Sequence, residues 1–204
     1  MPYFGRHLLL CLEILHRCCG CFCTFMMSVP ALAFNVLGYY SSWFALILSA
    51  AHSVSYLGVI YATIFLGLHF FMSKHKKRDL FIGAFVTCMG SCIDGIFTYF
   101  GVFVFSDTYL FLPFWLMVIW VCFSQILVYG LHWLNRRYVL SSILGAIFAP
   151  LSYYSGFAFE AVYFPSVPQA LLFIGGVWAM ILPLFMAIIN KSAFPLESKE
   201  KDPF

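Results

Sequence analysis

Residues Leu80–Val104 read LFIGAFVTCMGSCIDGIFTYFGVFV, an apolar stretch with a single charged residue, Asp94. A helix needs about 20 mostly apolar residues to cross a hydrocarbon layer of about 30 Å, and this stretch is long enough. Because it is continuously apolar, it lacks the alternation over about ten residues that is typical of membrane β-barrels. A helix also satisfies its own backbone hydrogen bonds in lipid. The stretch therefore predicts a transmembrane α-helix.

Five further apolar runs accompany this stretch, and short polar segments separate them. The chain has 63% hydrophobic and only 9% charged residues, against roughly 25% charged residues in soluble domains. The predicted fold class is all-α, a polytopic helical membrane protein of about six transmembrane helices. In chain order, the expected spans are about Ala31–Ala50, Val54–Met72, Leu80–Val104, Phe111–Leu134, Val139–Tyr163 and Gln169–Ile189.

The basic residues predict the orientation of these spans. All 11 Lys and Arg residues lie before the first span, between the second and third, between the fourth and fifth, or after the sixth. With six spans these segments share one side of the membrane, and basic residues concentrate in cytoplasmic loops. Both ends are therefore predicted to be cytoplasmic, with a six-helix transmembrane domain over residues 31–190 and a cytoplasmic tail over residues 191–204.

Residues 1–30 are predicted to be a cysteine-rich cytoplasmic lead-in and not a span. Zinc would need four ligands at reachable spacing, but Cys18 and Cys21 have no second cysteine pair, so no metal site is predicted. Lipidation of these juxtamembrane cysteines is an alternative. If translation starts at Met26 or Met27, the lead-in does not belong to the native protein.

Asp94 is the most informative polar residue of the predicted spans. A carboxylate inside the hydrocarbon region costs at least about 2.5–3.5 kcal/mol on insertion scales, so a partner, a water-filled cavity or protonation must offset that cost. Ser91 and Thr98 lie three and four residues away and share its helical face. Two hypotheses follow: Asp94 relays protons or binds a substrate, or it joins helices through hydrogen bonds.

The fifth span is predicted to supply the surface next to Asp94. Ser152 and Tyr153 are expected near the depth of Asp94, where Tyr153 can donate a hydrogen bond to the carboxyl group. Small residues on this span allow close helix packing, which is the preferred interpretation, and a site is the second. That small-residue face comprises Gly145, Ala149, Ser152, Gly156 and Glu160.

His132 lies at the predicted cytoplasmic end of the fourth span, and Arg136 and Arg137 follow that span. The simpler interpretation is an interfacial position, because polar and aromatic side chains collect at the membrane surface. The functional alternative is that the three side chains bind an anionic lipid head group.

Several classes of function are not supported by any motif. The sequence has no P-loop, no dinucleotide-binding glycine pattern, no H-E-x-x-H and no G-x-S-x-G. Its basic residues form short clusters between apolar runs, which argues against nucleic-acid binding. We therefore predict no cofactor and no nucleic-acid partner. The predicted partners are the lipid bilayer and a lipid or small-molecule ligand, and no oligomeric state is predicted.

Several motifs in fixed order resemble a bacterial inner-membrane family known as domain of unknown function 2878. The resemblance runs from about Asn35 to about Ile189 and leaves the lead-in outside. It implies a small multi-pass protein of the bacterial inner (cytoplasmic) membrane. The motifs are Ser42-Trp43-Phe44, Gly90-x-x-x-Asp94, Pro113-x-Trp115-x(4)-Trp120, Trp133-Leu134 and Gly145-x(4)-Pro150-Leu151-Ser152-Tyr153-x-x-Gly156.

The chain departs from the pattern of that family at two places. Val128 and Gly130 stand where the family tends to have polar residues, and Phe148 and Ala149 stand where it tends to have paired glycines. The first departure weakens a catalytic role for the fourth span. The resemblance also implies an association with genes that modify membrane fatty acids. Such an association does not define a mechanism for this protein.

Three functions follow as hypotheses. The first is an accessory factor in membrane-lipid or fatty-acid modification. The second is a small proton-coupled transporter that uses Asp94, and the third is an intramembrane lipid-modifying enzyme with Asp94 at its centre. Whether the protein is an enzyme therefore stays open.

Overall fold

The structure is a computed structural model that describes residues 32–105 and 112–197, with side chains up to Lys191. The predicted lead-in, residues 106–111 and residues 198–204 lie outside the described residues. The described helices are α1 (Leu32–Ala51), α2 (Ser55–Met72), α3 (Lys76–Tyr99), α4 (Phe114–Gln125), α5 (Tyr138–Ala158) and α6 (Val167–Glu197).

The all-α membrane fold is confirmed. Helices α1, α2, α3 and α5, together with residues Val167–Lys191 of α6, are long and apolar enough to cross a membrane. No strand occurs among the described residues, where one antiparallel bridge joins Val104 and Tyr163. Helix α6 continues to Glu197, so the first part of the segment predicted as a tail is helical.

The fourth span differs from the continuous helix that was expected over Phe111–Leu134. Helix α4 is followed by a π-helical turn over Ile126–Gly130 and a 3-10 turn over His132–Leu134. The apolar helix therefore ends at Gly130 and is shorter than the other five. Gly130 weakens a helix at this position, and the wider π turn lets Tyr129 contact α3, as described below.

The ends of α3 and α5 also correct the expected spans. Helix α3 begins at Lys76, before the expected Leu80, and ends at Tyr99, where Gly101 adopts a positive φ of 68°. Helix α5 ends at Ala158 and not at Tyr163, because Glu160 adopts a φ of 64° that no helix contains. Glu160 therefore does not belong to the small-residue face of α5.

A glycine on α5 allows a close contact between two helices. Helix α5 packs most extensively against α6, and α3 packs against α4. A β-carbon at Gly145 would collide with the main-chain carbonyl of Trp178 on α6. The packing interpretation of the small-residue face therefore holds at this position, where only glycine allows the two backbones to approach.

Candidate functional site

The carboxyl group of Asp94 joins three helices at the centre of the bundle. Asp94 is fully buried on α3. Its Oδ1 accepts a hydrogen bond of 2.5 Å from the hydroxyl of Tyr153 on α5, and its Oδ2 accepts one of 2.7 Å from the indole N–H of Trp120 on α4. Within residues 32–105 and 112–191 no basic side chain forms an ion pair with Asp94. Two neutral donors therefore hold this carboxyl group.

Gly90 explains how the indole of Trp120 reaches Asp94. Gly90 lies one helical turn before Asp94, and the ring of Trp120 occupies the space where a β-carbon of residue 90 would stand. Because Gly90 has no side chain, the indole lies directly on α3. The spacing Gly90-x-x-x-Asp94 therefore puts a position without a side chain one turn before a hydrogen-bond acceptor on the same helical face.

The other predicted members of this site lie near the carboxyl group without contacting it. Thr98 donates its hydroxyl to the main-chain carbonyl of Asp94 at 2.9 Å. The hydroxyl of Ser91 is buried and has no hydrogen-bond partner, and Ser152 is half-buried on the wall of the cavity described next. Of the predicted residues, Tyr153 alone contacts the carboxylate. Trp120 was not predicted as a site residue, although its position in a tryptophan motif was noted.

A cavity of about 710 Å³ extends from Asp94 between α1, α4, α5 and α6. This volume lies in the usual range for ligand pockets. Its wall on α5 runs from Leu144 to Gly156, which corresponds to about 18 Å at 1.5 Å per residue. Aromatic side chains dominate the rest of the wall, among them Tyr39, Trp43, Phe103, Trp115, Phe123 and Trp178. The cavity is therefore elongated and mostly apolar, and Asp94 is the one carboxylate among the described residues that line it.

The cavity opens sideways, between α1 and α5. Tyr40 and Phe44 on α1 and Phe148 and Leu151 on α5 line the cavity, and each is about half exposed. The ring of Phe44 also contacts that of Phe159, just beyond the end of α5. Since the outer surface of the bundle faces lipid, this opening gives a molecule in the bilayer a path to the cavity.

A second buried carboxylate, Asp79, lies just before the expected start of the third span at Leu80 and was not predicted as a site residue. Asp79 is fully buried in the first turn of α3. It accepts hydrogen bonds from Ser73, from Tyr129 at 2.5 Å and from Arg78 at 2.9 Å, and Nε2 of His69 lies 3.8 Å away. This cluster ties the loop after α2 to the π turn that carries Tyr129.

The predicted head-group residues are exposed at the same end of the bundle. His132, Arg136 and Arg137 are all exposed. His132 lines a cavity of about 50 Å³ together with Arg78 and Asn135. Arg136 and Arg137 do not line that cavity. The binding of an anionic head group by these residues stays a prediction. Among the described residues, no group of three or more His, Cys, Asp and Glu side chains lies close enough to hold a metal ion.

Comparisons with known proteins agree with the resemblance inferred from the motifs. No curated protein and no solved structure matches the chain. The profile of one family, described as protein of unknown function (DUF2878), matches residues 32–184. The match covers every described helix from α1 through most of α6, including Gly90, Asp94, Trp120 and Tyr153. The chain therefore belongs to the family of proteins of unknown function DUF2878.

Proposed function

We propose that this protein binds a long-chain lipid from the bilayer, within the membrane, in the cavity next to Asp94. The observation that carries the proposal is the form of the cavity, which is elongated, lined by aromatic rings and open towards lipid between α1 and α5. An extended hydrocarbon chain suits such a wall. Asp94 lines the cavity, where it can bind the polar group of the lipid.

Selectivity in such a site has to come from packing and hydrogen bonding. A lipid that moves from the bilayer into a protein cavity gains little from the hydrophobic effect, because both surroundings are apolar. Rigid aromatic walls favour a chain that matches their shape. A buried carboxylate discriminates between head groups, because an unpaired buried polar group is costly. The combination of Asp94 with an aromatic wall therefore supports recognition of a particular lipid.

Lipid binding supports a role as an accessory factor in membrane-lipid or fatty-acid modification in the bacterial inner membrane. In this role the protein would hold the lipid while a partner enzyme acts on it. Exposed basic residues at the predicted cytoplasmic end, among them Lys76, Lys77, Arg136 and Arg137, offer a surface for such a partner. An intramembrane enzyme would use the same site with Asp94 as its acid–base group.

Proton-coupled transport is a second candidate function, favoured by the surroundings of Asp94. The carboxyl group has no basic partner among the described residues and faces a cavity. Buried carboxylates of this kind serve as proton relays in transporters. Transport requires the cavity to open alternately to the two sides of the membrane, whereas lipid binding requires only the opening between α1 and α5.

The lipid proposal is tested by photo-crosslinking in nanodiscs with a palmitoyl phospholipid that carries a diazirine on its chain. We expect labelled peptides from the cavity wall on α1 and α5. Ala149→Phe and Ser152→Phe each fill the cavity and should abolish this labelling. Leu172→Phe on the exposed face of α6 is the matched control and should leave it unchanged. Labelling that is equal in all four proteins would refute a lipid site in the cavity.

A further inference from the structure

The indole N–H of Trp178 is a second buried polar group on the cavity wall. Trp178 is only 6% exposed and lines the cavity. Its ring stacks on that of Trp120, with 5.6 Å between the centroids and 5° between the planes. Its Nε1 is buried and makes no hydrogen bond of normal geometry. This N–H is therefore an unpaired buried donor on a ring that stacks on Trp120, one of the two side chains that bind Asp94.

Asp94 in turn keeps capacity to accept hydrogen bonds. A carboxylate has about four acceptor positions, and Tyr153 and Trp120 occupy one on each oxygen. Both donors come from the protein, so a ligand can donate to a remaining position. This part of the cavity wall thus combines spare acceptor capacity on Asp94 with an unpaired buried donor on Trp178.

We propose that the ligand is a long-chain lipid with a free hydroxyl group, which donates to Asp94 and accepts from Trp178. This inference rests on the proposed lipid-binding function and specifies the class of lipid. A hydroxyl group is both a donor and an acceptor, so it pairs with both protein groups at once.

Other head groups match the two positions less well. A carboxylate is only an acceptor, so it leaves Asp94 without a donor. An ammonium group is only a donor and has three N–H groups to satisfy, so it leaves Trp178 unpaired and finds few acceptors on this wall. A plain hydrocarbon pairs with neither group.

The depth of Asp94 agrees with such a ligand. Asp94 lies five residues before the end of α3 at Tyr99, which corresponds to about 7.5 Å along the helix. A hydroxyl group at this depth lies in the last third of α3, and its chain can follow the wall of α5 from Gly156 towards Leu144.

The inference is tested with four probes that share a sixteen-carbon chain: 1-hexadecanol, hexadecylamine, palmitate and hexadecane. Each probe competes with the diazirine phospholipid for the purified protein in nanodiscs. We expect 1-hexadecanol to compete roughly tenfold better than each of the other three, the effect of one or two hydrogen bonds. Trp178→Phe keeps a stacked ring without the donor, and it should lower competition by 1-hexadecanol roughly fivefold while hexadecane is unaffected.

The outcomes separate this inference from the proposed function. Equal competition by all four probes overturns the hydroxyl preference and leaves lipid binding intact. Stronger competition by hexadecylamine or palmitate also overturns it and identifies a charged ligand. An unchanged preference for 1-hexadecanol in Trp178→Phe excludes Trp178 as the donor and overturns the proposed pairing. If the phospholipid labels no cavity residue, the proposed function fails together with the inference.

Discussion

The indole of Trp120 lies where a β-carbon of Gly90 would stand, and it donates to Asp94 one turn further along α3. One glycine therefore determines both how closely α4 approaches α3 and whether the carboxyl group of Asp94 receives its second donor. Packing and polar recognition are coupled at this point of the bundle. A methyl group at residue 90 would displace the ring and change both.

Gly90→Ala is expected to lower the free energy of unfolding by about 1–3 kcal/mol, the usual cost of overpacking a tight contact. Gly176→Ala is the matched control, because a β-carbon at Gly176 on α6 meets nothing within 4 Å. Thermal unfolding of both variants in detergent measures the difference, and tryptophan fluorescence reports the displacement of Trp120. Equal stability of the two variants would show that the ring adjusts to a side chain at residue 90.

Asp94→Asn separates the two roles that the sequence left open for this residue. The amide keeps the shape of the carboxyl group, so we expect normal accumulation and a loss of unfolding free energy of about 1–2 kcal/mol. In the competition assay in nanodiscs, this variant should lose the preference for 1-hexadecanol over the other three probes. A variant that retains both stability and labelling preference would remove the carboxylate from the mechanism.

Tyr129→Phe tests the cluster around Asp79. The substitution removes the hydroxyl that donates to Asp79 at 2.5 Å, and one unsatisfied position on a buried carboxylate costs about 1–3 kcal/mol. Tyr138→Phe, at an exposed tyrosine that begins α5, should change the unfolding free energy by less than about 0.5 kcal/mol. Chemical denaturation of the two variants in mixed micelles provides the comparison, and a difference near zero would mean that Ser73 and Arg78 are sufficient to hold Asp79.

The sequence predicted the spans well because hydropathy reports length and burial in lipid. The observed α1 and α2 agree with the expected spans within one residue at each end. The π turn after α4 was not predicted, and Tyr129 within it contacts Asp79 on α3, a contact between helices that the sequence of one span does not show. Asp79 itself follows a run of basic residues, and that run made the segment read as a loop.

The site was predicted in part, for a similar reason. Helical periodicity placed Ser91 and Thr98 on the face of Asp94, but periodicity gives no direction for a hydroxyl group, and Thr98 binds the main chain of its own helix. The pairing of Tyr153 with Asp94 was predicted from their similar depth along the third and fifth spans, which run in the same direction. The roles of Trp120 and Trp178 could not be predicted, because they depend on which helices pack together. The sequence of a single span does not show this.

The orientation of the bundle gives a further prediction that uses two exposed residues, Lys76 and Glu160. They lie at the start of α3 and just after α5, which are opposite ends of the bundle if the spans alternate. Because basic residues concentrate on the cytoplasmic side, Lys76→Cys should be protected from a water-soluble maleimide in intact bacterial spheroplasts, and Glu160→Cys should react. The parent protein, with its native cysteines, supplies the background in each assay, and permeabilised cells should label both variants. Labelling of Lys76→Cys alone in intact spheroplasts would reverse the orientation and would place the basic surface on the outer side, away from any cytoplasmic partner enzyme.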